Sequence, residues 1–270
     1  MECVYGSPHN RKNGGFKCPQ KTKLQLPLSL KIAIFRLFPY NVSMDSTVYN
    51  EAFHRNRDCL TRETAVIVSD FLLKNFNICS VCDVGGGIGV WLDVFRSKID
   101  SKSFKGILLE GDYIKKEWLL CPELFQCCNL EENFCLPQKY DLAIALEVAE
   151  HLHVNCAERF ITNLCKISDL ILFSAAIPYQ GGAGHLNEQP FSYWRNLFAQ
   201  NGYSCYDIVR SLISKMDSIP FWYRNNIFVY AKDTLPKNTV MSSCTNDFID
   251  YIHIDTYLKR LSDVQFCSQK

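Results

Sequence analysis

The chain has 270 residues, 47% hydrophobic, 13% aromatic and 21% charged, which supplies a sizeable core and excludes disordered, collagenous and coiled-coil chains. No apolar run is long enough to span a bilayer, which argues against an integral membrane protein. The net charge of +1 is uneven: residues 1–44 carry seven basic side chains against Glu2 alone, a local +6, so the remainder stands at −5 and offers no broad nucleic-acid-binding face.

Taken in order, residues 1–44 read as a basic extension ahead of the folded part. Its apolar stretch, Leu24 to Phe38, is broken by Pro27, Lys31 and Arg36 and starts too late for a secretory signal. The fourteen cysteines are therefore expected as reduced thiols in a cytoplasmic protein. The basic extension leaves mitochondria as the alternative destination, and Met44 offers a second start that would omit residues 1–43. Residues 57–76 place apolar side chains at helical spacing. CSVCDV follows as a buried strand ending in a glycine cluster. Its Cys79 and Cys82 form a Cys-x-x-Cys, but no second pair stands at zinc-finger spacing, so both are expected in the strand and not on a metal. WLDVFRSKI reads as a helix, FKGILLE (104–110) and LFQCCNL (124–130) as strands. YDLAIALE (140–147) is a strand leading into a helix that runs to about Lys166. DLILFSA (169–175) repeats the strand pattern, then comes a glycine-rich loop and a helix near 190–200. GYSCYDIV and NNIFVYAK close the series without room for a full crossover helix.

Strands alternating with helices predict an α/β fold over residues 45–233: a Rossmann-like, doubly wound, mostly parallel seven-stranded sheet with helices on both faces and an antiparallel final strand. Residues 234–270 form a tail containing an amphipathic helix, FIDYIHIDTYLKRL.

The first strand ends in Asp83-Val84-Gly85-Gly86-Gly87-Ile88-Gly89, an Asp-x-Gly-x-Gly-x-Gly run at a strand-to-helix turn. Glycine there lets the backbone approach a ligand, and the following helix presents its amides and positive dipole end. A dinucleotide fingerprint would carry Gly or Ala at position 90, where this chain has Val90, which disfavours a dehydrogenase. No phosphate-binding Gly-x-x-x-x-Gly-Lys-Ser/Thr occurs.

On these residues the chain resembles the class I S-adenosylmethionine-dependent methyltransferases, from about residue 49 to 232. The resemblance implies S-adenosylmethionine as cofactor, held by Asp83, Gly85, Gly87 and Gly89. Glu110, at the end of the second strand and 21 residues past Gly89, is then the acceptor for a ribose diol. Cys128-Asn129-Leu130 falls where the family usually reads adenine with Asp before an apolar residue. Asn129 departs from that pattern but keeps a carbonyl acceptor. Tyr140-Asp141-Leu142 through Glu147-Val148-Ala149-Glu150-His151-Leu152 resembles a segment of ubiquinone-type O-methyltransferases, which puts Glu147 at the cofactor.

Methyl transfer needs an acceptor aligned with the C–S bond and often a base. His151 is expected to open the helix after the fourth strand, where sugar O-methyltransferases of this superfamily place a catalytic His. His185 lies in Gly181–Gln189, a glycine-rich loop at the carboxyl end of the sheet. Either is expected to take the acceptor proton. With Ser192-Tyr193-Trp194 and Phe221–Asn226, this loop resembles methyltransferases encoded beside polysaccharide and glycan biosynthesis enzymes. That implies Asn187, Glu188, Trp194, Tyr223 and Arg224 at the substrate, with core packing as the other use of Trp194, Trp222 and Tyr223. His151 and His153, two apart on a helix, would face apart, so no metal is expected from that pair. The carboxylates of Glu147, Glu150 and Glu188 leave a magnesium site open. No Asn/Asp-Pro-Pro-Tyr/Phe follows the fourth strand, which favours oxygen over nitrogen as acceptor. The leading expectation is thus O-methylation of a small-molecule or sugar hydroxyl. The alternatives are methylation of protein or RNA with the extension as docking arm, and a non-catalytic cofactor-binding scaffold.

Overall fold

A computed structural model of the chain describes residues 51–236 and 238–242, with Asp250 and Ile252. The extension at 1–44 and the amphipathic segment near 248–261 lie outside the described residues, apart from those two positions. All described residues belong to one unit, Val42–Lys270.

Helix α1 (Glu51–Asn75) precedes strand β1 (Ser80–Val84), helix α2 (Val90–Lys98), β2 (Lys105–Glu110) and a short β3 (Phe125–Cys127). Then come β4 (Leu142–Leu146), α3 (Ala157–Ile167), β5 (Leu170–Ser174), α4 (Phe191–Gln200) and β6 (Tyr203–Tyr206). Two short helices, α5 (Arg210–Ile213) and α6 (Phe221–Asn226), lead to β7 (Phe228–Lys232), and α7 (Thr239–Ser242) follows. The seven strands form one sheet in the order β3-β2-β1-β4-β5-β7-β6. Neighbours from β3 to β5 pair in parallel, and β7 runs antiparallel to both β5 and β6, as expected for the final strand.

The central strands are almost wholly buried because helices cover both faces, and alternate residues serve the two cores. Cys82, Val84, Ala143, Ala145, Ile171 and Phe173 share one core with α3 and α4. Val81, Leu142, Ile144 and Leu172 share the other with α1 and α2. Aromatics dominate the first core near β7: Phe198 stacks on Tyr230 at 3.8 Å, and Phe173 meets Trp194, Phe198 and Tyr230. Burying each such ring contributes on the order of 2–3 kcal/mol.

Asp141 fixes the opposite end of the sheet from the glycines. Its Oδ2 accepts from the Cys79 and Ser80 amides at 2.9 and 2.8 Å and from Ser80 Oγ, so it clamps the starts of β1 and β4 together. The strand order reverses between β1 and β4, and ligands of doubly wound sheets bind at the carboxyl ends of strands at such a switch. Gly85 through Gly89 and Glu147 through His151 follow those ends, and Asp83 is the last residue but one of β1.

Two expectations need correction. The segment after β4 is not the start of a long helix: Ala149–His151 and Val154–Cys156 are separate single 3-10 turns, and α3 begins only at Ala157. Glu147 causes the break, since its φ of 57° turns the chain out of the strand in the left-handed region that a non-glycine residue rarely adopts. Next, only Cys82 of the Cys-x-x-Cys is in a strand and buried, while Cys79 precedes it and is half-buried. The ten described cysteines are all free thiols.

Candidate active site

The glycine loop is shaped by contacts that exclude side chains. Gly85, Gly87 and Gly89 have φ values of 71°, 59° and 87°, all left-handed, where glycine alone carries no steric cost. A Cβ on Gly85 would stand 2.6 Å from Val148 Cγ2, so the loop touches the turn after β4 directly. Gly86 has no such φ, yet a Cβ there would meet the Asp83 carboxylate at 2.3 Å.

Asp83 is buried, and its Oδ2 has no hydrogen-bond partner. Burial and the facing Glu110 push its carboxyl up to about 7, against the pull of the Leu92 amide. Leu92 lies in the first turn of α2, whose N-cap Gly89 has no side chain to offer. Asp83 therefore caps that helix from the strand before it.

Glu110 ends β2, almost fully buried, and organises the loop. Its Oε2 accepts from the Gly87 amide at 2.8 Å, and Oε1 from the Gly111 amide and the Tyr113 hydroxyl at 2.8 and 2.6 Å. Burial raises its pKa, and those three donors oppose the rise. Tyr113 was not singled out in the sequence because a tyrosine three residues past a strand end carries no pattern of its own. Asn129 lies beyond β3, which is shorter than expected. Its Oδ1 accepts from the Glu131 amide and its Nδ2 donates to Glu132, both at 3.0 Å, while Leu130 beside it is buried.

Across the switch point, Glu147 is held by amides. Its Oε1 accepts from Asn226 Nδ2 at 3.1 Å and its Oε2 from Gln180 Nε2 at 3.4 Å, and Asn226 also donates to Gln180 Oε1 at 3.0 Å. Ser174 Oγ accepts from the Glu147 amide at 3.0 Å. Asn226 carries no sequence signal of its own beside the aromatic and arginine residues of Phe221–Asn226, and only the fold brings it to Glu147.

His151 sits in the first 3-10 turn, with Nδ1 at 3.2 Å from the Gly184 carbonyl. His185 has Nδ1 at 2.9 Å from Glu188 Oε1. Glu188 also accepts from the Gly181 and Tyr179 amides, both at 2.8 Å. Burial alone would raise Glu188, but the His185 bond and these amides together hold it below the usual range. A carbonyl and a carboxylate only accept, so both imidazoles carry their proton on Nδ1 and their lone pair on Nε2. The two rings meet edge to face with centroids 4.9 Å apart. A Cβ on Gly182 would lie 2.2 Å from His185 Nε2, so glycine makes room for the ring. The Leu186 and Asn187 amides donate to the Glu150 carbonyl at 2.7 and 2.9 Å, stitching the two histidine-bearing segments together.

The expected substrate residues are dispersed. Asn187 is buried and accepts from Gln189 Nε2. Glu188 is spent on positioning His185 and the loop. Trp194 is 1% exposed and packs on Phe173 and Tyr193, so it is a core residue here and presents no face to a sugar ring. Tyr223 packs edge to face on Trp91 in the other core, 6.0 Å between centroids. Arg224 pairs with Asp217 at 3.5 Å.

No family model matches the sequence, and no curated protein does. Solved structures do. A Nostoc punctiforme protein assigned as an O-methyltransferase superposes with a TM-score of 0.52 at 10% identity, over 75% of this chain and 67% of that one. This is the class I methyltransferase fold. An O-methyltransferase family protein of Burkholderia thailandensis gives a TM-score of 0.49 at 12% identity, over 70% of this chain. A methyltransferase of calicheamicin biosynthesis, solved with S-adenosylhomocysteine bound, gives 0.49 at 14%, over 76% of this chain and 67% of its own. The chain spans 60% of the length of the Burkholderia protein. Within the methyltransferase fold, the glycine loop and Glu110 stand at the switch point, and His151 follows the turn after β4 that touches the loop through Val148. Among the described residues no helix is long and apolar enough to cross a membrane.

Proposed function

We propose that the protein is an S-adenosylmethionine-dependent methyltransferase acting on a hydroxyl of a small molecule or sugar. The observation that carries the reading is the buried acidic pair around a side-chain-free loop. Asp83 keeps an orphaned oxygen beside three left-handed glycines, and Glu110 reaches the loop from the next strand. These residues fit the cofactor: Gly85 to Gly89 give its chain a backbone cradle, and Glu110 Oε2, which accepts only from the Gly87 amide, keeps a lone pair for a ribose hydroxyl, with a second on Oε1 where the Tyr113 hydroxyl gives way. Asn129 and Leu130 would flank the adenine, and Glu147 would close the amino-acid end. The cofactor supplies an electrophilic methyl group on a sulfonium.

The acceptor side belongs to His151 and His185. Both lone pairs rest on Nε2, the tautomer in which an imidazole holds or removes a hydroxyl proton. Glu188 anchors Nδ1 of His185 at 2.9 Å and fixes the orientation of that ring. Asn187 and Arg224 stay with the substrate side as residues of the same loop and of α6.

The test separates binding from turnover. Calorimetry should find S-adenosylmethionine binding and no NAD binding. His185→Ala should keep that cofactor affinity within about twofold while lowering methyl transfer to a panel of sugar and phenol acceptors by roughly 100-fold. Absence of cofactor binding by the wild type would refute the function. Unchanged turnover in both His185→Ala and His151→Ala would refute the acceptor site.

A further inference from the structure

Glu150 is out of place on ordinary grounds. It is fully buried, and neither carboxylate oxygen has a well-formed hydrogen bond. Burial, the charge of Glu147 and a side-chain contact with the Glu147 carboxyl favour the protonated acid, while its own amide and that of Ala176 favour the anion. A buried carboxyl held against that of half-buried Glu147, without one well-formed hydrogen bond of its own, is costly, and native structures retain such a group where something else is meant to satisfy it.

The neighbours indicate what that is. One donor atom each from Glu150, His151 and His185 lie within 4.8 Å of one another. Histidines that ligate metals nearly always donate their other ring N–H to a carboxylate or a backbone carbonyl, which fixes the tautomer and aims the lone pair. Both histidines do so here, His185 to Glu188 at 2.9 Å and His151 to the Gly184 carbonyl at 3.2 Å. The backbone holds the set together, since Leu186 and Asn187 donate to the Glu150 carbonyl. Gly182 is side-chain-free where the His185 ring needs the space.

We propose that Glu150, His151 and His185 form a binding site for one divalent transition-metal ion. Two imidazoles and one carboxylate suit manganese, iron, cobalt or zinc better than magnesium or calcium, which prefer all-oxygen sets. An ion about 2.1 Å from each donor holds its ligands roughly 3–3.5 Å apart, so a set spread over at most 4.8 Å contracts by no more than about 1.3–1.8 Å, a displacement within reach of side-chain rotation. Glu147 adds negative charge beside the cluster. Three protein ligands leave coordination positions open, as at metal sites that receive a substrate. The role assigned to the ion rests on the methyltransferase reading: it would hold and acidify the acceptor hydroxyl, with the histidines acting through the cation. The binding site itself does not depend on that reading.

Fourteen cysteines make zinc an ambiguous probe, so manganese(II) is used, which binds thiols poorly. Full-length protein stripped with EDTA is titrated with manganese(II) and the free ion is followed by electron paramagnetic resonance. One equivalent should bind saturably in the wild type. Glu150→Gln and His185→Ala should each weaken binding by about 100-fold, and Glu188→Gln by roughly tenfold through loss of the His185 anchor. Glu150→Gln keeps the side chain's shape, so its melting temperature in EDTA should equal or exceed that of the wild type. A drop there would mark Glu150 as a structural carboxylate and overturn the site. No saturable binding by the wild type, or equal binding by Glu150→Gln and His185→Ala, would also overturn it. S-adenosylmethionine affinity is measured on the same metal-free protein: its absence would sink the methyltransferase reading and leave the manganese result standing.

Discussion

Gly87→Arg should abolish measurable S-adenosylmethionine binding, a loss of at least about 1000-fold, while the protein stays folded. Two effects act together. The residue has a φ of 59°, and an L side chain in that region costs about 1 kcal/mol or more before any clash. Its amide also donates to Glu110 Oε2 at 2.8 Å, so displacing the backbone detaches the carboxylate expected on the ribose from the loop expected around the cofactor's chain. A long cationic side chain would then fill the space into which the loop opens. Calorimetry reads the affinity, and circular dichroism with a melting curve reads the fold. Gly87→Ala separates the causes, since it retains the φ penalty without the bulk and should lose only about tenfold. Wild-type affinity in Gly87→Arg would mean that the cofactor does not enter over this loop.

The sheet was legible because its signals are local and redundant. Each central strand is a short run of apolar residues ended by glycine or an acid, and burial on both faces demands that run whatever the tertiary details. The antiparallel β7 was legible because the segment between Tyr206 and Phe228 shows no long helical run, and the structure fills it with two short helices, α5 and α6. The turn after β4 was not legible. Val148 to Lys166 has helical spacing, and nothing in its composition reveals that Glu147 takes a left-handed φ and splits the segment into two 3-10 turns before α3. That break changes what His151 is: a residue of a tight turn facing Gly184, not the first residue of a helix.

The site divides along similar lines. Asp83, the glycines and Glu110 could be expected together because a backbone-driven loop sits at fixed offsets from a strand end, and the Glu110–Gly87 bond does bring them together. The acceptor side depends on which long-range partners meet, and side-chain type misleads there. Trp194 resembles a sugar platform in sequence, yet lies at 1% exposure in the aromatic core with Phe173. Asn226 looks like the start of a strand and proves to be the residue that bridges Glu147 and Gln180. Glu150 was noted only as one of several carboxylates. Its complete burial without a well-formed hydrogen bond, beside His151 and His185, exists only in three dimensions.

Asp83→Asn should stabilise the protein at pH 8 and have little effect at pH 4. The Asp83 carboxyl titrates at about 7 in the folded state, whereas an unfolded aspartate titrates near 3.9. Between those values the folded protein keeps a proton that the unfolded chain has released. The group's contribution to stability is therefore greatest below about pH 4, declines as pH rises, and reaches its least favourable level above about pH 7. At about 1.36 kcal/mol per unit the ceiling is ~4 kcal/mol, and relaxation around the charge brings a realistic gain for the amide nearer ~1–3 kcal/mol. Asparagine keeps an oxygen for the Leu92 amide, so the cap on α2 survives and the titration alone is removed. Urea unfolding at pH 4.5, 6 and 8 measures the effect: the two proteins should diverge as pH rises, and parallel profiles would show that Asp83 is not the titrating group. The same residue links stability to binding. S-adenosylmethionine carries positive charge on its sulfur and amino group, and a cation beside Asp83 favours the carboxylate. Wild-type affinity for it should then rise as pH increases through about 7, and Asp83→Asn should bind more weakly at pH 8 with no such rise. A stabler protein that binds its cofactor less well would identify Asp83 as a charge kept buried for the ligand at the expense of the fold.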